Sequence, residues 1–205
     1  MTLTHRHCPD CGAPCEERIP EDDHRTRAVC TVCANIHYVN PKVVVGCIVE
    51  KDGNLLLARR DIEPARGRWT FPAGYLETGE SSFDGAARET LEETEARTRM
   101  LGLHAVLDIP HIGQVYTVFR AELVGDHFAP TPESTEVELV APERIPWSEL
   151  AFPSVSTALR LWDEDRRSCR HRVHTGSVIW SGEGSRFDLA RYRLEDHVAH
   201  FGPTL

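Results

Sequence analysis

The 205-residue chain contains no apolar run long enough to cross a membrane. Its longest is Val43 to Val49, against the roughly 20 residues a spanning helix needs. No apolar stretch precedes the first cysteine, so no secretory signal is expected and the cytoplasm is the expected compartment. Positive charge is scarce: 23 Lys and Arg face 32 Asp and Glu, a formal net charge of −9. That balance disfavours nucleic acid and anionic membranes as partners. Small anionic substrates stay open, because a bound divalent metal reverses the field locally. A disulfide framework is not expected either, since the cysteine count is seven, an odd number. Internal repeats and low-complexity tracts are missing. What remains is 40% apolar and 27% charged residues, enough for one ordinary domain and a small appendage.

Five of the seven cysteines fall within the first 33 residues. Cys8-Pro-Asp-Cys11 and Cys30-Thr-Val-Cys33 are two C-x2-C units separated by 18 residues. Each such turn aims two sulfurs at one point, and two turns complete a tetrahedron for Zn2+. Four thiolates leave no open position, so the zinc is expected to be structural rather than catalytic. Cys15 stands outside both pairs as a spare. Residues 1–38 show no apolar periodicity that could build a core, which also argues for a metal staple.

From Pro41 the pattern changes. Residues 42–50 read as a buried strand, Asp52-Gly53 as a tight turn and residues 54–60 as the partner strand. Residues 68–74 suggest a short strand closed by glycine. Ser81 and Asp84 have capping-box spacing and start a helix with Phe83, Ala87, Thr90, Leu91 and Thr94 on one face. Further strands are expected at 101–109, 114–123 and 135–140, and a helix around Val155, Ala158, Leu159 and Trp162. The tail, residues 169–205, ends in an expected helix carrying Phe187, Ala190, Leu194, Val198 and Phe201, stopped by Gly202 and Pro203. So regular a stripe is expected to dock, on its own domain or on a second copy in a homodimer.

Glu89, Glu92 and Glu93 lie at i, i+3, i+4, so their carboxylates share one helical edge. Read alone, that edge is either a solvated acidic face or a site for a hard cation such as Mg2+ or Mn2+. Around it stand Gly74, five residues, Glu80, seven residues, Arg88-Glu89, two residues and Glu92-Glu93. This pattern resembles the signature box of the Nudix hydrolases. With the cysteine ribbon ahead of it, the chain is similar to the zinc-ribbon Nudix pyrophosphatases, which act on NADH, FAD or ADP-ribose. The resemblance implies an α/β fold, a Nudix-type α/β/α sandwich around a mixed sheet preceded by a small zinc ribbon. The segments would then be residues 1–38, the ribbon; 39–168, the hydrolase domain; and 169–205, an extension.

By the same resemblance, Glu89, Glu92 and Glu93 would be the catalytic magnesium ligands, Arg88 would orient one of them, and the Ala73 carbonyl would add an oxygen. Glu80 would shape the loop. Glu136, on a later strand, would be the additional catalytic carboxylate, with Glu133 and Glu138 as competitors. Arg59, Arg60, Arg66 and Arg68 are candidate phosphate contacts, and His111, Gln114 and Tyr116 candidate base or ribose contacts. The box departs from the pattern twice: Thr90 replaces an aliphatic residue and needs a partner for its hydroxyl if buried, and Glu95 replaces a glycine.

No Ser-Gln-Pro-Trp-Pro-Phe-Pro signature of NADH pyrophosphatases occurs between Leu101 and Val115, whereas Pro110 and its surroundings resemble the ADP-ribose and FAD group. The expected reaction is hydrolysis of a small nucleotide, ADP-ribose or FAD, to AMP and a second phosphorylated product. Alternatives are an NADH pyrophosphatase, an RNA-cap hydrolase and a non-catalytic nucleotide sensor.

Overall fold

The computed structural model describes residues 6–201, and the chain falls into two compact units, 1–41 and 42–205. Among the described residues no helix is long and apolar enough to cross a membrane.

The first unit is a three-stranded antiparallel sheet of β1 (Cys15–Arg18), β2 (Arg27–Cys30) and β3 (Ile36–His37), in that order. Among the described residues its buried apolar cluster is Cys8, Cys15, Ala28 and Cys30 with Ala13 against it, too little to hold a fold by itself.

The second unit is built on β4 (Lys42–Lys51), β5 (Asn54–Arg60), β8 (Thr98–Ile109), β9 (Gln114–Leu123), β10 (Ser134–Val140), β11 (Arg172–Trp180) and β12 (Tyr192–Phe201), in the order β10-β5-β4-β9-β8-β11-β12. Two short strands branch from this path: β6 (Trp69–Thr70) on β5 and β7 (Ala73–Tyr75) on β4. The β4–β9 and β8–β11 pairs are parallel and the other pairs antiparallel, so the sheet is mixed. The expected hairpin forms with Asp52 and Gly53 both at positive φ, 50° and 79°. A turn of this kind matches the twist of the flanking strands. The expected single strand over 68–74 is instead divided between β6 and β7.

Period-two alternation gives the central strands β4 and β5 two buried faces. Val45, Cys47, Val49, Leu56 and Ala58 point toward Ala86 of α1 (Ser82–Thr94). Val44, Ile48, Leu55 and Leu57 point toward Val155, Leu159 and Trp162 of α2 (Pro153–Arg167). The result is an α/β/α sandwich.

Helix α1 starts where expected, with Ser81 Oγ accepting from Asp84 N at 3.1 Å. Its inward face differs from the expected stripe. Ala86, Thr90, Glu93 and Thr94 are buried, while Phe83 and Leu91 are 41% and 46% exposed. Phe83 packs edge-on against Phe119, at 5.3 Å between centroids. Thr90 resolves its hydroxyl locally by donating to Ala86 O at 2.9 Å. Glu95 adopts φ 55°, the left-handed end that a glycine favours, and its N–H reaches Leu91 O at 2.8 Å.

The expected C-terminal helix is not formed. Residues 192–201 are strand β12, antiparallel to β11, which itself pairs in parallel with β8. Without β12 the backbone edge of β11 would be unpaired, and ladder bonding outweighs the local helical spacing. Leu189, Tyr192 and Leu194 pack on the core, whereas Val198 and Phe201 are 50% and 77% exposed, so the expected stripe is not one face. The expected stop at Gly202 and Pro203 lies outside the described residues.

Buried polar contacts tie β11 and β12 to the domain. Asp165 on α2 accepts from Arg172 Nε at 2.5 Å and lies 3.2 Å from His174 Nε2, and His174 Nδ1 lies 3.0 Å from His197 Nε2. Beside them, His104 Nε2 donates to Ala158 O at 3.0 Å. Burial pushes the His104 imidazole down to about 4.

Candidate active site and metal centre

The loop from Gly74 to Ser81 and the helix after it are locked by one guanidinium. Arg88 donates through Nε and Nη2 to Glu80 at 3.0 and 2.7 Å, through Nη2 to Tyr75 O at 3.1 Å, and through Nη1 to Glu89 at 2.7 Å and Glu92 at 2.9 Å. Arg88, with the Glu77 N–H, holds the Glu80 carboxyl down at about 2. Glu80 and Arg88 therefore form a charged clasp between loop and helix.

The three glutamates diverge in environment. Glu92 is the most exposed, its side chain 56% accessible. The Glu89 side chain is mostly buried, and burial raises its carboxyl despite Arg88. Glu93 is buried, accepts the Ala73 N–H at 3.1 Å, and is pushed by burial up to about 8. Their oxygens do not all lie within 4.8 Å of one another, because Arg88 spans Glu89 and Glu92 while Glu93 turns inward. All three nevertheless line one cleft of about 700 Å³. A buried carboxyl whose charge is this poorly compensated is a donor that a hard divalent cation would suit.

The same cleft is lined by Ala73, Arg60, His111, Gln114 and Tyr116. Arg60 is held by Pro64 O at 2.9 Å and lies over the Phe152 ring at 5.1 Å. Gln114 donates to Tyr75 Oη at 3.1 Å, and Tyr116 is 9% exposed.

Other expected residues lie elsewhere. Glu136 pairs with Arg59 at 2.7 Å across the β10–β5 ladder, and neither lines the cleft. A register shift between Ser134 and Glu136 changes the strand's course, and the later carboxylate lining the cleft is Glu133. Its charge acts on both Glu89 and Glu93. Arg66 is paired with Asp61 at 2.6 Å and Arg68 donates to Leu150 O at 3.3 Å. Unforeseen wall residues are Tyr75, Phe152, Arg186, Phe187 and Tyr192. The last three come from the segment read as a helix; Arg186 and Phe187 lie in the connection between β11 and β12, and Tyr192 opens β12.

In the first unit, ligand atoms of Cys8, Cys11, Cys30 and Cys33 all lie within 4.8 Å of one another, and none is in a disulfide. Three of the sulfur pairs are 3.4 to 3.7 Å apart. Tetrahedral Zn–S bonds of about 2.3 Å imply edges of about 3.8 Å. The Cys33 and Val32 N–H groups, each 3.4 Å from Cys30 Sγ, hold that thiol down at about 6. Four sulfurs so spaced fit a structural zinc, which would take them as thiolates. Cys15 is the spare, paired in register with Cys30 on the β1–β2 ladder.

Residues 40–160 match the NUDIX domain model. The chain belongs to the Nudix family. Residues 6–39 match the Nudix N-terminal zinc-ribbon model. Among relatives, the chain is 31% identical over 119 residues to an ADP-ribose pyrophosphatase of Methanocaldococcus jannaschii, covering 56% of this chain and 69% of that one. It is 34% identical over 135 residues to the NAD-capped RNA hydrolase NudC of Stutzerimonas stutzeri, covering 64% of this chain and 46% of NudC. The crystal structure of a Nudix hydrolase from Nitrosomonas europaea is similar at 45% identity and TM-score 0.82, covering 84% of this chain and 98% of that chain. A Nudix hydrolase with a zinc-ribbon module is therefore the class to which the site belongs.

Proposed function

We propose that the cleft hydrolyses the diphosphate of ADP-ribose or FAD, releasing AMP with ribose 5-phosphate or FMN. The observation that carries this reading is the convergence of Glu89, Glu92, Glu93 and Glu133 on one 700 Å³ cleft. In this reading Glu89, Glu92 and Glu93 hold Mg2+ or Mn2+, with Ala73 beside them. When bound, such a cation neutralises non-bridging phosphate oxygens and makes a water more acidic.

The remaining roles belong to the chain. Water attacks one phosphorus, its oxygen forms the new P–O bond, and the P–O–P bridge breaks in line. Glu133 has no ion-pair partner among the described residues, and we assign it the proton of that water. Arg88 keeps Glu89 and Glu92 in position, and Arg60 faces the cleft as the candidate contact for a substrate phosphate. The zinc of Cys8, Cys11, Cys30 and Cys33 is structural.

A second reading, hydrolysis of a reduced dinucleotide or of an NAD-capped RNA end, is favoured by the likeness to NudC. The net charge of −9 counts against a long polyanion. The test is kcat/KM for ADP-ribose, FAD, NADH and NAD-capped RNA at one magnesium concentration. ADP-ribose or FAD should lead by about 10- to 100-fold, the range a few contacts provide. A lead for NADH or capped RNA would reverse the substrate assignment.

A further inference from the structure

One wall of the cleft comes from residues beyond the 40–160 domain match. After β11 the chain loops through Arg186 and Phe187 and returns at Tyr192, and all three line the cleft. His111 anchors this wall. Its ring lies 5.9 Å from that of Trp180 and 5.6 Å from that of Tyr192, and its Nε2 is 3.4 Å from Tyr192 Oη. Tyr192 Oη in turn donates to Arg186 O at 3.0 Å, which fixes the loop carrying Phe187.

Two features of this wall are left over by the fold. Phe187 leaves 44% of its surface exposed although it borders a cleft. Arg186 lies over Trp180 at 5.1 Å and has no carboxylate within 4.0 Å among the described residues. A half-exposed aromatic ring beside a guanidinium with no carboxylate partner suits a planar, electron-rich heteroaromatic ligand. Stacking fills the apolar face, and a nearby cation favours a π system.

We propose that His111, Arg186, Phe187 and Tyr192 form a subsite for the adenine ring of the AMP half, with Phe187 as the stacking platform. The inference rests on the reading that the cleft takes an adenosine diphosphate derivative. It adds that nucleoside selectivity resides in the connection between β11 and β12, with His111 against it, rather than in the glutamate box. The box recognises a diphosphate, which every candidate substrate shares; the wall discriminates what is attached to it. Arg186, held over Trp180, supplies the cation beside that platform.

The test is equilibrium binding of AMP and of ribose 5-phosphate, which share the sugar phosphate and differ in the ring. Titration calorimetry in magnesium reads both without requiring turnover. Wild-type protein should bind AMP at least about 10-fold more tightly than ribose 5-phosphate, within the range stacking provides. Phe187→Ala should remove that advantage and leave ribose 5-phosphate unchanged, and Phe187→Tyr should restore most of it. Phe187 is half-exposed, so the variants should fold, and a thermal melt checks this. Equal AMP binding by wild type and Phe187→Ala would overturn the subsite. Ring-selective binding without hydrolysis of any diphosphate would overturn the proposed activity and leave the subsite standing. Hydrolysis of ADP-ribose with KM indifferent to Phe187→Ala would do the reverse.

Discussion

Gly74 and Glu89 share a space that admits only one of them a side chain. A β-carbon on Gly74 would stand 2.2 to 2.4 Å from the Glu89 carboxylate atoms. The requirement for glycine here is one of close approach, set by a carboxylate lying against the backbone of β7. Gly74→Ala should therefore turn Glu89 away while the sheet persists. A displacement of about 1 Å in a catalytic group can cost about 100-fold in rate. We expect a loss of that size in kcat/KM for ADP-ribose, with circular dichroism unchanged; a wild-type rate would show that Glu89 is not needed where it stands.

Glu93→Gln should abolish most turnover, by at least about 100-fold, if the carboxylate carries part of a cation site. Stability in metal-free buffer at pH 7 should barely change, because burial already favours the neutral carboxyl, pushed up to about 8. The sign follows from linkage. A raised carboxyl pKa means the folded state holds the proton between about 4.5 and 8, so metal-free stability falls as pH rises through that window. Cation binding near neutral pH should then release a proton. Calorimetry of Mg2+ or Mn2+ binding in two buffers of different ionisation enthalpy measures it, and no buffer dependence would refute the assignment.

The protein should contain one tightly held zinc per chain. Stripping it with a strong chelator should unfold the first unit, whose four-residue apolar cluster cannot replace the metal. The second unit should keep its core. Elemental analysis and limited proteolysis before and after chelation read the two units separately.

Mild acid should weaken the second unit through His104. With its imidazole held down at about 4 against an ordinary value of 6.5, the folded state excludes a proton that the unfolded state takes up. Stability is thus full above about pH 6.5 and is lost as pH falls toward 4, by roughly 1–3 kcal/mol. Denaturant titrations of wild type and His104→Phe across that range check it. The variant should lose less stability on acidification, whatever its stability at pH 8.

Much of this fold is legible along the chain because its signals are local. Ser81 and Asp84 mark the start of α1, Asp52-Gly53 the hairpin, and the cysteine spacing the four-sulfur cluster. The family box likewise compresses Gly74, Glu80, Arg88 and three glutamates into 20 residues. Sequence pattern and structure part where distant pairing decides. Residues 192–201 have an apolar spacing that suits a helix, but the edge of β11 makes them a strand. Glu136 lies on β10 beyond a register shift and Glu133 just ahead of the strand, a difference that no periodicity reveals. Phe83 and Leu91 sit at helical spacing with Thr90, yet α1 turns Ala86 and Glu93 inward because the sheet surface and the cleft both claim that side.

The placement of β11 bears on how this protein can be cut for expression. The family match ends at residue 160, inside α2, which runs from Pro153 to Arg167. A fragment ending there would lose Trp162, a 2%-exposed core residue, and would leave the β8 edge open along residues 105–108. Open edges of this kind template strand addition between molecules. Such a piece is expected to aggregate, although every residue of the glutamate box would be present in it.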